Sequence, residues 1–188
     1  MASNDTKLGL GLATGMFFHA AKGTPGPAYP LAELDKAWKA VGDVTSDGIT
    51  LTTDKSSEAL RNWANVIKRV IMTEHTETIE APIMDTTEES LKTVLGADNV
   101  SITEADGTHG RMITANLSAA SLPAEEAFLF LMKDGDDAIA IYCADGQIQS
   151  VANTTFAPNA AINWTPTITA LGDGFQMIVD DGQKVAGA

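Results

Sequence analysis

The residue types that most readily do chemistry are thinly spread along this chain. Its three histidines, His19, His75 and His109, lie far apart, and only His75 has acids beside it, in Glu74-His75-Thr76-Glu77. On a strand Glu74 and His75 point to opposite faces, which suits a solvated surface better than a metal needing convergent ligands. The acidic stretch Asp134-Gly135-Asp136-Asp137 invites a calcium reading, but an EF-hand loop requires alternating oxygen ligands and a closing Glu at position twelve. Position twelve counted from Asp134 is Asp145, and residues 138–143 between them are apolar. A charged hairpin tip is the better reading. Thr52, Thr53, Ser56 and Ser57 have no neighbouring base, and no nucleophile elbow, zinc-protease helix motif or phosphate-binding glycine loop occurs. Gly9, Gly11 and Gly15 precede a strand, not a helix, so they lack the setting of a dinucleotide fingerprint. The one cysteine, Cys143, sits in a very apolar run and reads as an inert core thiol. Alone it can form neither an intramolecular disulfide nor a cysteine zinc cluster. No enzyme, cofactor or metal is expected.

Charge narrows the partners. The 188 residues carry a formal net charge of −13. Nine of the twelve Lys and Arg lie in residues 1–94, leaving three against twelve acids in residues 95–188. Proteins that bind nucleic acid by neutralising phosphates need clustered cations, so specific DNA binding is not expected. No run of about 20 apolar residues is present to cross a membrane as a helix. The start, MASNDTKLGLGLATGMFFHAA, has one Lys cancelled by Asp5 and a glycine-broken apolar run, so synthesis in the cytoplasm without export is expected.

The elements that must position any site are mostly strands. The composition is that of one globular domain, with residues 1–13 read as an N-terminal arm and 180–188 as a loose tail. Met16 to Ala20 reads as a strand, and KGTPGPAYP as a loop. Leu31, Leu34, Ala37, Trp38 and Val41 have helical spacing, which predicts a short helix ending at Gly42. Val66 to Ala81 is rich in β-branched residues and too long for an ordinary strand, so a bend or bulge is expected within it. A helix over Leu60–Met72 is the alternative there. Thr86-Thr87-Glu88-Glu89 matches a capping box, with Thr86 capping and Glu89 reaching back, ahead of a helix ending at Gly96. Val100–Glu104 pairs naturally with Met112–Leu117 around Asp106-Gly107. Ala127–Met132 and Ala138–Cys143 are apolar on both faces and call for cover on both sides. Ile162–Leu171 and Phe175–Val179 are expected to form a last hairpin around Gly172-Asp173-Gly174. The sum is a mainly β protein, an antiparallel β-sandwich or barrel with one flanking α-helix.

One stretch stands apart. GDVTSDGITLTTDKSSEALRNW is polar, β-prone and opened by the turn dipeptide Asp47-Gly48. It is expected to make an extended hairpin arm over residues 44–65, reaching away from the core. A lone two-stranded arm is marginal in water and gains order from a partner. An ordinary mobile loop is the plainer alternative.

The pieces GMFFHAAKGTP, AWKAVGDVTSDGITLTTDKSSEALRNW, VIKRVIMTEHTETI and ESLKTVLG, in this order over roughly residues 14–100, resemble the major tail tube proteins of long-tailed, siphovirus-type bacteriophages. The family often has a Gly-Gly pair after the tryptophan, where this chain has Ala64-Asn65, and many relatives carry an added immunoglobulin-like domain for which 188 residues leave no room. Beyond residue 100 only WTPTITAL resembles the family's penultimate strand.

The resemblance implies a structural virion protein of the tail. Its subunits would form homohexameric rings stacked into a tube, a conduit through which DNA leaves the capsid without specific binding. Tape-measure, distal-tail and tail-terminator proteins would be partners, and no membrane is involved. A negative wall would keep DNA from adhering. Candidate subunit-interface residues are Asp47, Gly48, Thr52, Asp54, Lys55, Ser56, Arg61 and Trp63, with Trp63 and Arg61 leading because Trp and Arg dominate interface hot spots. Core burial of Trp63 is the competing assignment. Candidate lumen-facing acids are Glu74, Glu77, Glu80, Asp134, Asp136 and Asp137. The alternative function is a non-assembling β-sandwich binding module for a carbohydrate or host surface, for which Trp38, Trp63 and Trp164 would have to cluster.

Overall fold

The computed structural model describes residues 10–11, 16–30, 33–118 and 121–181. The expected arm 1–13 and tail 180–188 therefore fall largely outside the described residues. Eleven strands and one α-helix are present among those described. The fold is mainly β and antiparallel, with one flanking helix.

The strands are β1 (Leu10–Gly11), β2 (Phe17–Ala21), β3 (Lys39–Gly42), β4 (Thr50–Arg61), β5 (Ile67–Glu80), β6 (Val100–Thr103), β7 (Met112–Ala115), β8 (Glu126–Asp134), β9 (Asp137–Val151), β10 (Pro166–Ala170) and β11 (Gln176–Asp180); the helix α1 is Glu88–Leu95. Nine strands form one sheet in the order β3-β2-β8-β9-β10-β5-β4, with β1 beside β8 and β11 beside β9. Strands β6 and β7 form a separate pair.

The doubly apolar strands sit where both faces can be covered. Phe128, Phe130 and Met132 of β8 and Ile139, Ile141 and Ile148 of β9 enter the larger core, where Leu91 and Val94 of α1 and Val100 of β6 cover them. Phe17 stacks on Phe130 with ring centroids 4.6 Å apart. Ala127, Leu129 and Leu131, with Ala140 and Tyr142, face the other way into a smaller core closed by Trp38. Alternation along β8 and along β9 up to Tyr142 feeds two cores from one hairpin, and a bulge between Cys143 and Gly146 shifts the phase so that Ile148 joins the larger core.

Three expectations are corrected. No helix follows the proline-rich loop in the described residues 33–42: Asp35 makes a turn, its Oδ1 accepting from the Ala37 N–H at 2.8 Å, and residues 39–42 then pair with β2. On a helix Trp38 and Val41 would share a face, whereas here Trp38 enters the smaller core and Val41 the larger. Sheet pairing with two cores to fill overrides the three-and-four spacing. The α1 cap is Thr87 rather than Thr86, and its reciprocal partner is Ser90 rather than Glu89. Thr86 instead accepts a hydrogen bond from Trp164 Nε1 at 3.1 Å, which removes it from capping. Finally, β10 and β11 do not pair with each other. They run end to end along one edge of β9, opposite residues 146–151 and 138–142. Gly172 and Gly174, both at positive φ, form a jog and not a reversal. The long β9 edge offers ladder positions to both strands, which is why the chain continues in one direction.

The helix meets the sheet at a partly buried polar node. His19, on β2 and 8% exposed, has Nδ1 2.9 Å from Glu126 Oε2 and Nε2 3.4 Å from Glu89 of α1. Lys39 on β3 reaches the other oxygen of Glu89 at 3.4 Å.

Candidate assembly surface

The longest strand pair, β4 with β5, leaves the body of the molecule. Only residues 78–80 of β5 pair with β10, so the outer part of the hairpin has no sheet neighbour on that side. Residues 54–61 of β4 and their partners on β5 project beyond it, about 25 Å at roughly 3.3 Å per residue. The sequence reading put a whole hairpin within residues 44–65, whereas that stretch supplies only the outgoing strand β4 and the return strand is β5, Ile67–Glu80.

Bulges set which way its side chains point. Ser56 pairs with Glu74 and Ser57 with Met72, leaving Thr73 as an extra residue; Leu60 pairs with Arg69 and Arg61 with Ile67, leaving Lys68 as a second. Directly opposed residues share a face. One face therefore carries Thr52, Asp54, Ser56, Glu58 and Leu60 of β4 with Glu80, Glu74, Ile71 and Arg69 of β5. The opposite face carries Lys55, Ala59 and Arg61 with Glu77, His75, Met72, Val70 and Ile67. On that second face Ile67, Val70 and Met72 are each about half exposed, forming an apolar stripe with no cover from its own chain. The sequence reading missed this stripe because the two extra residues break the two-residue period that would have disclosed it.

The tip is well ordered by its own hydrogen bonds. Asn65 N–H donates to Asn62 O at 2.8 Å, and Asn62 N–H donates to Val66 O at 3.0 Å. The Asn62 side chain accepts from Val66 N–H at 2.9 Å. Asn65 adopts φ 61°, the left-handed conformation asparagine tolerates better than other side-chain-bearing residues. Arg61 Nη1 donates to Asn65 O at 3.1 Å and rests against the tip. Trp63 is fully exposed there. Its assignment to a core is thereby excluded.

The other interface candidates divide. Asp47 and Gly48 form the turn before β4, with Gly48 at φ 73° and its N–H donating to Thr45 O. Thr52, Asp54 and Ser56 lie on the acidic face; Lys55 and Arg61 lie on the apolar one. Of the candidate lumen acids, Glu74 and Glu80 share a face and Glu77 does not. Glu77 accepts from Phe175 N–H at 2.8 Å and lies 3.1 Å from His75, so it braces the jog between β10 and β11. Asp134 and Asp137 face each other at the β8–β9 turn with Gly135 and Asp136 between them. That turn is set apart from the β5 acids.

Groups with the look of chemistry are structural. Burial pushes the Cys143 thiol up, and its Sγ donates to Asp145 O at 3.0 Å. Among the described residues, no group of three or more His, Cys, Asp or Glu side chains converges to hold a metal ion. Trp38 and Trp164 are buried in different cores, far in the fold from the exposed Trp63.

No curated protein matches the chain. The family model described as phage tail tube protein matches residues 1–181. With a mainly β fold that projects a long, partnerless hairpin, and a family match spanning nearly all of its length, the chain belongs to the phage tail tube proteins, structural components of the virion tail.

Proposed function

We propose that this subunit, made in the host cytoplasm, closes into hexameric rings that stack into the tail tube, the conduit for DNA during ejection. The observation that carries the reading is the uncovered stripe Ile67, Val70 and Met72 on an arm ending in an exposed Trp63. Exposed apolar area of this kind on a projecting element marks a site for another chain. Contacts that join one surface to a different surface on the next copy generate rings when the rotation closes. The interface would comprise the Asp47-Gly48 turn, Thr52, Asp54, Lys55, Ser56, Arg61 and Trp63, now joined by the apolar stripe. Self-association would be followed by contacts with tape-measure, distal-tail and tail-terminator proteins at defined positions along the tube.

The charge fits a conduit. With the apolar face of the arm on a neighbour, the face bearing Asp54, Glu58, Glu74 and Glu80 is left available to line the passage, where it would repel DNA phosphates. Glu77, engaged with Phe175 and His75, is a weaker lumen candidate than these.

The test is negative-stain electron microscopy of the concentrated protein beside light scattering of the dilute sample. Rings or hollow tubes are expected, and Trp63→Ala should stay folded while losing them. A protein that remains monomeric and binds a carbohydrate tightly would replace this reading with that of a binding module.

A further inference from the structure

We infer that the arm tip of one copy docks in a groove of the next copy, with the Trp63 indole filling the groove formed by residues 24–28 and 33–38. The inference rests on the ring reading above for its choice of a second copy as occupant. The groove has a volume of about 530 Å³ and is lined by Pro25, Pro27, Ala28, Leu34 and Trp38, with Glu33 and Asp35 also in its wall. Apolar rings around a concave site of this size suit a large aromatic side chain.

Its walls are preformed. Trp38 Nε1 donates to Pro25 O at 3.3 Å, and the Tyr142 hydroxyl donates to Thr24 O at 2.7 Å. The Gly26 backbone lies so close on the Tyr142 ring that an added Cβ would come within 2.9 Å of it. The knob is equally prepared, since the tip turn is closed by its own hydrogen bonds before any partner arrives. Little ordering remains to oppose the contact.

Charge supports this groove. Residues 59–73 hold Arg61, Lys68 and Arg69 and no acid, in a chain of net charge −13. Among the described residues the ion pairs of Lys and Arg engage Lys22, Lys39, Lys92 and Arg111, and none reaches the three tip cations. Glu33 and Asp35 offer them opposite charge, which favours this docking over an apolar groove that lacks acids. A second apolar groove, beside α1 at Leu95, Leu122 and Pro123, is smaller, about 200 Å³, and has no acid in its lining.

Topology makes the contact intermolecular. The groove adjoins β3 at one edge of the sheet, and the arm belongs to β4 and β5 at the other. Val44, just after β3, bridges Ile83, just after β5, so the β3 end of the sheet meets only the inner end of the hairpin. The tip projects about 25 Å beyond the body and leaves Trp63 fully exposed, not seated in its own groove. Two different edges meeting is the heterologous contact that ring closure requires.

Cross-linking tests this directly, because the native thiol, Cys143, is buried. Ala64→Cys, which keeps Trp63, is mixed with Ala28→Cys at high protein concentration and treated with a short bismaleimide. A mixed covalent dimer is expected, reduced about tenfold or more when Trp63→Ala is added. Arg61→Glu should likewise lower the yield, and Glu33→Lys with Asp35→Lys on the other partner should restore it. A greater yield with Leu122→Cys than with Ala28→Cys overturns the assignment. Tubes that form without the Ala28 adduct overturn the docking and leave the ring reading standing. An adduct in a protein that never forms rings upholds the docking and removes the ring reading.

Discussion

Val70 and Ile79 lie on one face of the same strand, yet Val70 is 60% exposed and Ile79 is completely buried. Nine residues apart, they would face opposite ways on a regular strand; the extra Thr73 restores them to the same side. One strand face thus serves the subunit core at its inner end and is left uncovered by its own chain at its outer end.

That division predicts opposite consequences for substitutions on one strand. Ile79→Ala should lower the stability of the isolated subunit by about 2–5 kcal/mol, as expected for a buried large-to-small change. Val70→Asp with Met72→Asp should change it by no more than about 0.5 kcal/mol per site, the usual limit for exposed positions. Urea unfolding measures the first, and electron microscopy should show tubes lost only through the second pair.

Two glycines differ in what surrounds them. A Cβ on Gly146 would meet the Phe128 ring at 2.8 Å and Ile168 at 3.3 Å, both fully packed neighbours, whereas one on Gly107 meets nothing within 4 Å. Gly146→Ala should cost about 1–3 kcal/mol by overpacking. Gly107→Ala should be neutral or stabilise by up to about 1 kcal/mol through the unfolded chain. Denaturant midpoints compared at equal slope decide the matter.

The two adjacent threonines before α1 have separate duties. Thr87→Ala removes the helix cap, at about 1 kcal/mol. Thr86→Ala removes the acceptor of Trp164 Nε1 and should alter the near-ultraviolet signal of that buried indole, which the Thr87 change should leave in place. Near-ultraviolet circular dichroism of the two variants separates these duties.

Acid should loosen the link between α1 and Arg111, the residue just before β7. Lys92 first, and Arg111 next, hold the Glu88 carboxyl below the usual carboxylate range. A carboxyl with a depressed folded value contributes stability above its ordinary range, about 4.5, and that contribution is lost as pH falls toward the folded value. Glu88→Gln should therefore flatten the acid limb of the stability profile while leaving a small deficit at neutral pH. Urea midpoints taken from neutral pH into the acid range report both.

The sequence made the central hairpin legible because AFLFLM and AIAIYC are short, aromatic- and β-branched-containing runs apolar at every position, which suits strands covered on both faces. The polar arm was legible for the converse reason, since a β-prone stretch without an apolar face has no place in a core. Trp38 and Val41 misled because helical spacing also arises when two residues of one edge segment serve two separate cores. The His19, Glu126 and Glu89 node was invisible, the two acids lying 70 and 107 positions from His19 and meeting it only by folding. The apolar stripe was hidden by bulges, whose extra residues shift the phase of the alternation without leaving a composition signal. Trp63 illustrates the remaining difficulty: a tryptophan's identity does not tell a core from a knob, and only its place in a four-residue turn does.

Lys68 gives the arm a further property. VIKRVIM is the kind of short β-prone run that can stack on copies of itself, and the strand beside it, β4, lies at the edge of the sheet. The bulge takes Lys68 out of the regular ladder, so register-matched stacking of this segment would set lysine on lysine in successive chains. Asp54, Lys55, Glu58 and Arg61 put further charges along the edge strand itself. The same segment can therefore carry an exposed apolar stripe and still resist fibre growth.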